Sequence, residues 1–155
     1  MLREVFSAYQ RWNYRGGRPS WSARISNRLS AIAFAAGIGP GQAATLEVRG
    51  RKSGRTISFP IVVVDHDGER YVVAMLGQKT NWVHNLRADG HAVLLTRRRR
   101  ENVSLVEDFS EKRPAILRRY LELAPGARPF FPVDRRAPLE DFARIVDDYP
   151  VFRFA

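Results

Sequence analysis

At 155 residues the chain is the size of one domain and long enough to bury a core without covalent staples. An apolar share of 45% with 27% charged residues is a globular balance, and the lack of cysteine excludes disulfides, thiolate metal sites and cysteine nucleophiles and favours a cytoplasmic address. The formal net charge of +10 points to anionic partners, whether a phosphorylated small molecule, nucleic acid or acidic lipid headgroups. Its distribution is uneven: residues 1–60 carry ten Lys or Arg against Glu4 and Glu47, whereas residues 137–155 carry four acids against Arg144 and Arg153.

Nothing near the N-terminus has the continuous apolar stretch of a secretory signal, and no run approaches the ~18 apolar residues a spanning helix needs, so a soluble protein is expected. Residues 2–14 read as a basic amphipathic helix with Leu2, Val5, Phe6, Tyr9 and Trp12 on one face. After the turn at Arg15-Gly16-Gly17-Arg18-Pro19, Ser20 or Ser22 caps a second helix to about residue 36, closed by Gly37 and Gly39-Pro40-Gly41. Residues 1–40 thus form a helical extension within a single domain spanning 1–155.

From residue 44 the apolar period changes to that of strands, over 44–48, 57–64 and 70–76, with a hairpin turn at Asp65-His66-Asp67-Gly68 between the last two. Pro60 cannot donate to a ladder and calls for an edge strand or a bulge. Residues 80–89 read as a short helix capped by Thr80 or Asn81, with Trp82, Val83 and Leu86 inward. Strands at 91–96 and 102–106 flank an arginine loop at 97–100. Ser110 caps a helix over 111–123, a proline-rich loop through Pro129, Pro132 and Pro138 leads to a helix at 139–147, and residues 151–154 close the chain as a strand. Strands in the middle and helices at the ends suit an antiparallel α+β domain rather than a βαβ array.

The segment GRKSGR, residues 50–55, puts three cations and two glycines into a turn that two residues would close. Glycines let backbone N–H groups approach an anion, and Ser53, Arg51, Lys52 and Arg55 supply further donors, so the turn has the chemistry of a phosphate cradle. It lacks the spacing and following helix of a Walker A loop, and a plain solvated basic turn carries equal weight on spacing alone. In NWVHNLRAD, residues 81–89, Trp82 and Leu86 suit a packing face, while His84, Asn85 and Arg87 are able to meet an anion near the helix start. The four arginines at 97–100 read first as a solvated loop, and no nucleic-acid-binding module pattern is present. His66, His84 and His91 sit in unlike settings and give no metal set. No activated serine and no paired carboxylates stand out, so no side chain is assigned as catalytic and any chemistry falls to a cofactor.

Taken together, GRKSGR, ISFPIVVVDHDGERYVVAMLG, NWVHNLRADGHAVL and the closing YPVFRF resemble the deazaflavin (coenzyme F-420)-dependent nitroreductase family of flavin/deazaflavin oxidoreductases. The resemblance implies an antiparallel split β-barrel, an FMN-binding-protein-like roll of six or seven strands with flanking helices. It implies that Arg51, Lys52, Ser53, Gly54 and Arg55 grip the phosphate and polyglutamate tail of the coenzyme. Phe59, Pro60, Ile61, Met75, Leu76 and Gly77 would border the deazaflavin ring, and Trp82 and Asn85 would stand beside the tail. Lys79 lies three residues ahead of the tryptophan, where the family carries a lysine four ahead. Ser58, Tyr120, Phe130 and Phe131 fall in the region that lines the substrate.

The implied reaction is hydride transfer from reduced F-420 to a quinone, a nitroaromatic or an activated alkene, by a monomer or homodimer. Two other readings use the same residues. The turn would serve an FMN-dependent split-barrel reductase equally, and a non-catalytic basic protein binding lipid or nucleic acid would use residues 97–100 and the first helix instead. That first helix also suits the anionic inner face of a membrane, where a quinone is found, with packing on its own barrel as the competing role.

Overall fold

Apolar residues at every second position, switching faces at defined points, build a seven-stranded antiparallel sheet that curls into a split barrel. The computed structural model describes residues 42–97 and 99–155, and the helices expected over 2–14 and 20–36 lie outside them. The strands are β1 (Ala43–Arg49), β2 (Thr56–Val62), β3 (Val64–His66), β4 (Glu69–Val73), β5 (His91–Thr96), β6 (Arg99–Glu107) and β7 (Val151–Phe154), in the order β2-β1-β5-β6-β7-β4-β3. The described helices are α1 (Asn81–Ala88), α2 (Arg113–Leu123) and α3 (Leu139–Ala143).

Two cores share these strands. In β4, Val72 faces the barrel interior with Leu46, Leu94 and Phe152, while its neighbours Tyr71 and Val73 face a second core under α2 and α3. Strand β7 divides likewise, with Phe152 and Phe154 inward and Val151 under the helices. Burial on both faces is why these strands read as near-continuous apolar runs. Helix α2 covers the outer face with Ile116, Leu117, Tyr120 and Leu121, one helical stripe, and carries Pro114 in its first turn, where a missing N–H costs nothing.

The stretch expected as one strand over 57–64 is two. At Val63, whose N–H donates to the Gln42 carbonyl at 2.9 Å, the chain leaves β1 and crosses to the other half of the barrel, where β3 pairs with β4. Asp67 and Gly68 close that hairpin with φ of 49° and 78°, the two positive values a type I′ turn requires. Pro60 lies in an edge strand opposite Thr45, as its missing donor demands. The strand expected to run to 76 ends at Val73, because the chain turns at Gly77, whose φ is 87° and whose N–H donates to the Ala74 carbonyl.

The arginine run is not a loop throughout. Arg99 and Arg100 are strand residues opposite Thr96 and Leu95, and both Arg100 nitrogens Nη1 and Nη2 donate to Glu47 at 3.2 and 3.3 Å. Ser110 does not cap α2 directly. It builds the approach instead, donating to Asp108 and accepting from the Lys112 N–H, and the helix begins at Arg113. The proline-rich loop contains a 3-10 turn over Pro125–Phe130, from which the Arg128 guanidinium caps the last carbonyls of α2 at Leu121 and Glu122. The helix expected over 139–147 stops at Ala143 and gives way to a 3-10 turn over Val146–Asp148.

Strand β6 serves both halves, pairing with β5 through Ser104 and with β7 from Leu105 onward. At the switch, Leu105 N–H donates to the Gly90 carbonyl at 2.8 Å, and a Cβ on Gly90 would stand 2.6 Å from the Leu105 carbonyl oxygen. Two backbones meet there and neither yields cheaply. Gly90→Ala is therefore expected to lower stability by about 1 to 3 kcal/mol, read from the denaturant midpoint.

Candidate functional site

The turn between β1 and β2 is a closed six-residue loop. Gly50 N–H donates to the Arg55 carbonyl at 2.8 Å, Gly54 N–H to the Gly50 carbonyl at 2.9 Å, and Arg55 N–H to Ser53 Oγ at 3.2 Å. Gly54 adopts a φ of 69°, and Gly50 packs so closely that an added Cβ would lie 2.7 Å from Ser53 Oγ. The positive φ requires glycine at 54, and a Cβ at 50 would push aside the Ser53 hydroxyl that helps close the loop. The amides of Lys52 and Ser53 donate to no acceptor among the described residues, and the side chains from Arg51 to Arg55 are exposed.

The loop clusters cations without acids, whereas many arginines outside it are paired and, among the described residues, unpaired ones such as Arg118, Arg135 and Arg136 lie elsewhere in the chain. Arg70, Arg87, Arg100, Arg113, Arg119, Arg144 and Arg153 each lie within 4 Å of a carboxylate. Arg49, Lys52 and Arg55 have no carboxylate partner among the described residues, and the sequence holds no acid between Glu47 and Asp65. Unpaired cations beside free amides on a glycine-built turn are the donor set that a phosphate or carboxylate tail needs. The loop therefore fits a polyanionic group.

Helix α1 backs the loop. Asn85 is 3% exposed and its Oδ1 accepts from both the Arg51 N–H at 3.1 Å and Arg51 Nη1 at 2.8 Å. One helical turn earlier Trp82 stacks on Phe59 of β2, with ring centroids 5.2 Å apart and planes 18° from parallel, and touches Phe152 beyond. One side of α1 thus meets the loop through Asn85 and the middle of β2 through Trp82. Arg87 is directed elsewhere: it forms two bonds to Glu107 at 2.7 and 2.8 Å and one to Gln78 at 2.6 Å, so it is not free to meet an anion. Gln78 in turn donates to the Asp147 carbonyl, and Thr80 Oγ1 to the Gly77 carbonyl. These contacts fix the loop from Met75 to Thr80, on which Lys79 is exposed and Leu76 and Gly77 are half-buried.

Strand alternation separates residues that are adjacent in sequence. Phe59 and Ile61 face the barrel interior, opposite Leu46 and Ala44, whereas Ser58, Pro60 and Val62 lie on the other face. Val62 and Met75 are both half-buried and pack at the margin of the helical core. Sequence reasoning passes over Val62 and Arg49, and for Val62 the every-second-residue spacing from Pro60 is the available signal; the backbone donors of the turn are signalled by its glycines.

Tyr120 and Phe131 lie in the helical core, 6% and 8% exposed, with ring centroids 6.0 Å apart, and Phe131 stacks on Tyr149 at 4.0 Å. Phe130 is half-buried at the margin, its carbonyl accepting from the Tyr149 hydroxyl at 2.7 Å. Burial pushes the Tyr120 phenol well above its ordinary pKa, and its hydroxyl has no hydrogen-bond partner among the described residues. Tyr120 thus sits within the helical core, against whose margin Val62 and Met75 also pack. A buried hydroxyl without a partner carries a desolvation cost. Tyr120→Phe is expected to leave the melting temperature equal or higher and the KM for an acceptor unchanged; a raised acceptor KM would place this hydroxyl in the substrate site.

The family model described as F420H(2)-dependent quinone reductase matches residues 28–132. No curated protein sequence matches the chain. Among solved structures, one described as a domain-swapped dimer is similar at 17% identity and a TM-score of 0.55, over 86% of this chain and 93% of that one. The structure of an F420-H2 dependent reductase, FDR-A, is similar at 19% identity and a TM-score of 0.53, over 74% and 94% of the two chains. A protein of unknown function from Agrobacterium tumefaciens gives 14% identity and a TM-score of 0.53, over 87% of this chain and 54% of that one. At these identities the structural likenesses establish the fold.

Proposed function

The chain belongs to the F420H(2)-dependent quinone reductase family, and we propose that its acceptor is a quinone, reduced on the outer face of β2 while the β1–β2 turn holds the coenzyme tail. It is an oxidoreductase that uses coenzyme F-420. When bound, reduced F-420 supplies a hydride, and with one proton this carries a quinone to its hydroquinone. The observation that carries the reading is the unpaired cationic turn with two free amides beside a half-exposed apolar strand face.

In this reading Lys52 and Arg55, with Arg49 behind them, bind the phosphate and glutamates of the tail. Gly50 and Gly54 let the backbone donors of Lys52 and Ser53 come close. Pro60, Val62 and Met75 provide the apolar surface against which a flat ring rests and from which water is excluded. Phe59, Ile61 and Trp82 stiffen that strand from inside the barrel, and Leu76, Gly77 and Lys79 bound the site from the neighbouring loop. Ser58, exposed on the same face as Pro60, is the hydroxyl at hand to relay a proton from solvent. The protein's task is to hold donor and acceptor atoms at roughly 3 to 3.5 Å.

A nitroaromatic or activated alkene offers the same flat, electron-poor acceptor, so acceptor class is tested directly. Reduced F-420 is offered with a panel of quinones, nitroaromatics and activated alkenes, with FMNH2 and NADPH as comparison donors. Quinone reduction with F-420 is expected to have the highest kcat/KM; faster turnover of the other acceptors would reassign the substrate, and faster turnover with FMNH2 would contradict the coenzyme assignment. Lys52→Ala is expected to weaken F-420 binding about tenfold or more, the scale of one lost charge-assisted contact. An unchanged dissociation constant in that variant would remove the turn from the site.

The homodimer and the membrane surface belong to the same proposal. A second copy would cover the open face of β2, and sedimentation of the purified protein tests it. No helix among the described residues is long and apolar enough to cross a membrane.

A further inference from the structure

Asn85 is held in an unusual way for a residue beside a ligand. Its oxygen takes two donors from a single residue that lies 34 positions earlier in the chain. Because both partners are donors, the amide has one orientation that fits, with the NH2 group turned away from Arg51. Among the described residues these two hydrogen bonds are the ones that tie residues 50–55 to the body of the protein; the others close the loop on itself. Without them the exposed loop, carrying four cations between Arg49 and Arg55, has only its internal bonds to oppose its own repulsion.

Resting on the coenzyme reading above, we infer that Asn85 is a positioning residue that acts through Arg51. It holds the turn in the conformation that presents the Lys52 and Ser53 amides and the Lys52 and Arg55 side chains to the anionic tail. Arg51 is a strut in this arrangement, since its guanidinium and its backbone N–H are both engaged on Asn85. Affinity for the tail then depends on order already present before binding, because a loop that must be fixed on binding loses that entropy from the affinity.

The test titrates two probes, F-420 itself and the deazaflavin riboside that lacks phosphate and glutamates, against the full chain and its Asn85→Ala and Asn85→Asp variants. The unaltered chain must bind F-420 more tightly than the riboside; equal affinities would sink the coenzyme reading of the turn before Asn85 comes into question. Given that preference, Asn85→Ala is expected to weaken F-420 about tenfold or more and to leave the riboside unchanged. Asn85→Asp keeps an acceptor for both Arg51 donors and a charge for the guanidinium, so it is expected to restore most of the F-420 affinity. Equal loss in both variants would overturn the inference and make the amide NH2 a direct ligand of the tail. Loss of both probes in Asn85→Ala would also overturn it, as general loosening. Should the alanine variant fail to fold, the aspartate variant alone decides, with retained F-420 affinity supporting the positioning role and lost affinity refuting it.

Discussion

Four cations within seven residues, with no carboxylate among them, is the constraint on which the site depends. Elsewhere on the described surface many arginines are neutralised across strands or within helices, as Arg100 is by Glu47 and Arg70 by Glu101. At the β1–β2 turn the charge is left standing and the backbone is made to bear it, through two glycines, a closing serine and one buried amide. Exposed charges a few ångströms apart repel by about 1 kcal/mol per pair in water, and more beside an apolar wall.

The rest of the architecture serves to put that turn next to an apolar strand face. The outer face of β2 is exposed or half-exposed at Ser58, Pro60 and Val62, and the strand is held rigid because Phe59 and Ile61 anchor its other face against Trp82, Leu46 and Ala44. Helix α1 is the brace. Val83 and Leu86 root it in the barrel core, Asn85 and Trp82 reach the turn and the strand, and Arg87 reaches Glu107 and Gln78, so one short helix braces both the β1–β2 turn and the loop at 75–80. Arg87 is held charged by its hydrogen bonds to Glu107, against the opposing effect of its partial burial.

Much of this was legible in the sequence, and the failures have physical reasons. β1, α1, β5 and β7 agree with their expected ranges to within a residue or two, because each has a glycine or proline near one end and one clear apolar period, although Thr80 makes no side-chain cap to α1 and donates to the Gly77 carbonyl instead. The barrel corner at Val63 was hidden, since an unbroken run of apolar residues continues through it while the pairing partner changes from β1 to β4. The early end of β4 was masked in the same way by apolar residues on both faces. In the site, the cations and glycines of the turn are local and readable. The bonding of that turn to Asn85, the separation of Phe59 from Pro60 and the burial of Tyr120 are long-range features that arise only once the sheet and the helical layer have formed.

Strand β6 carries one more implication. Its first six residues belong to one half of the barrel and its last three to the other, joined at a point where two main chains touch without a side chain between them. Neither half can come apart while the other stays intact, because the shared strand would have to be native and denatured at once. Melting should accordingly be all-or-none, with slow amide exchange on both sides of Leu105 governed by a single global opening.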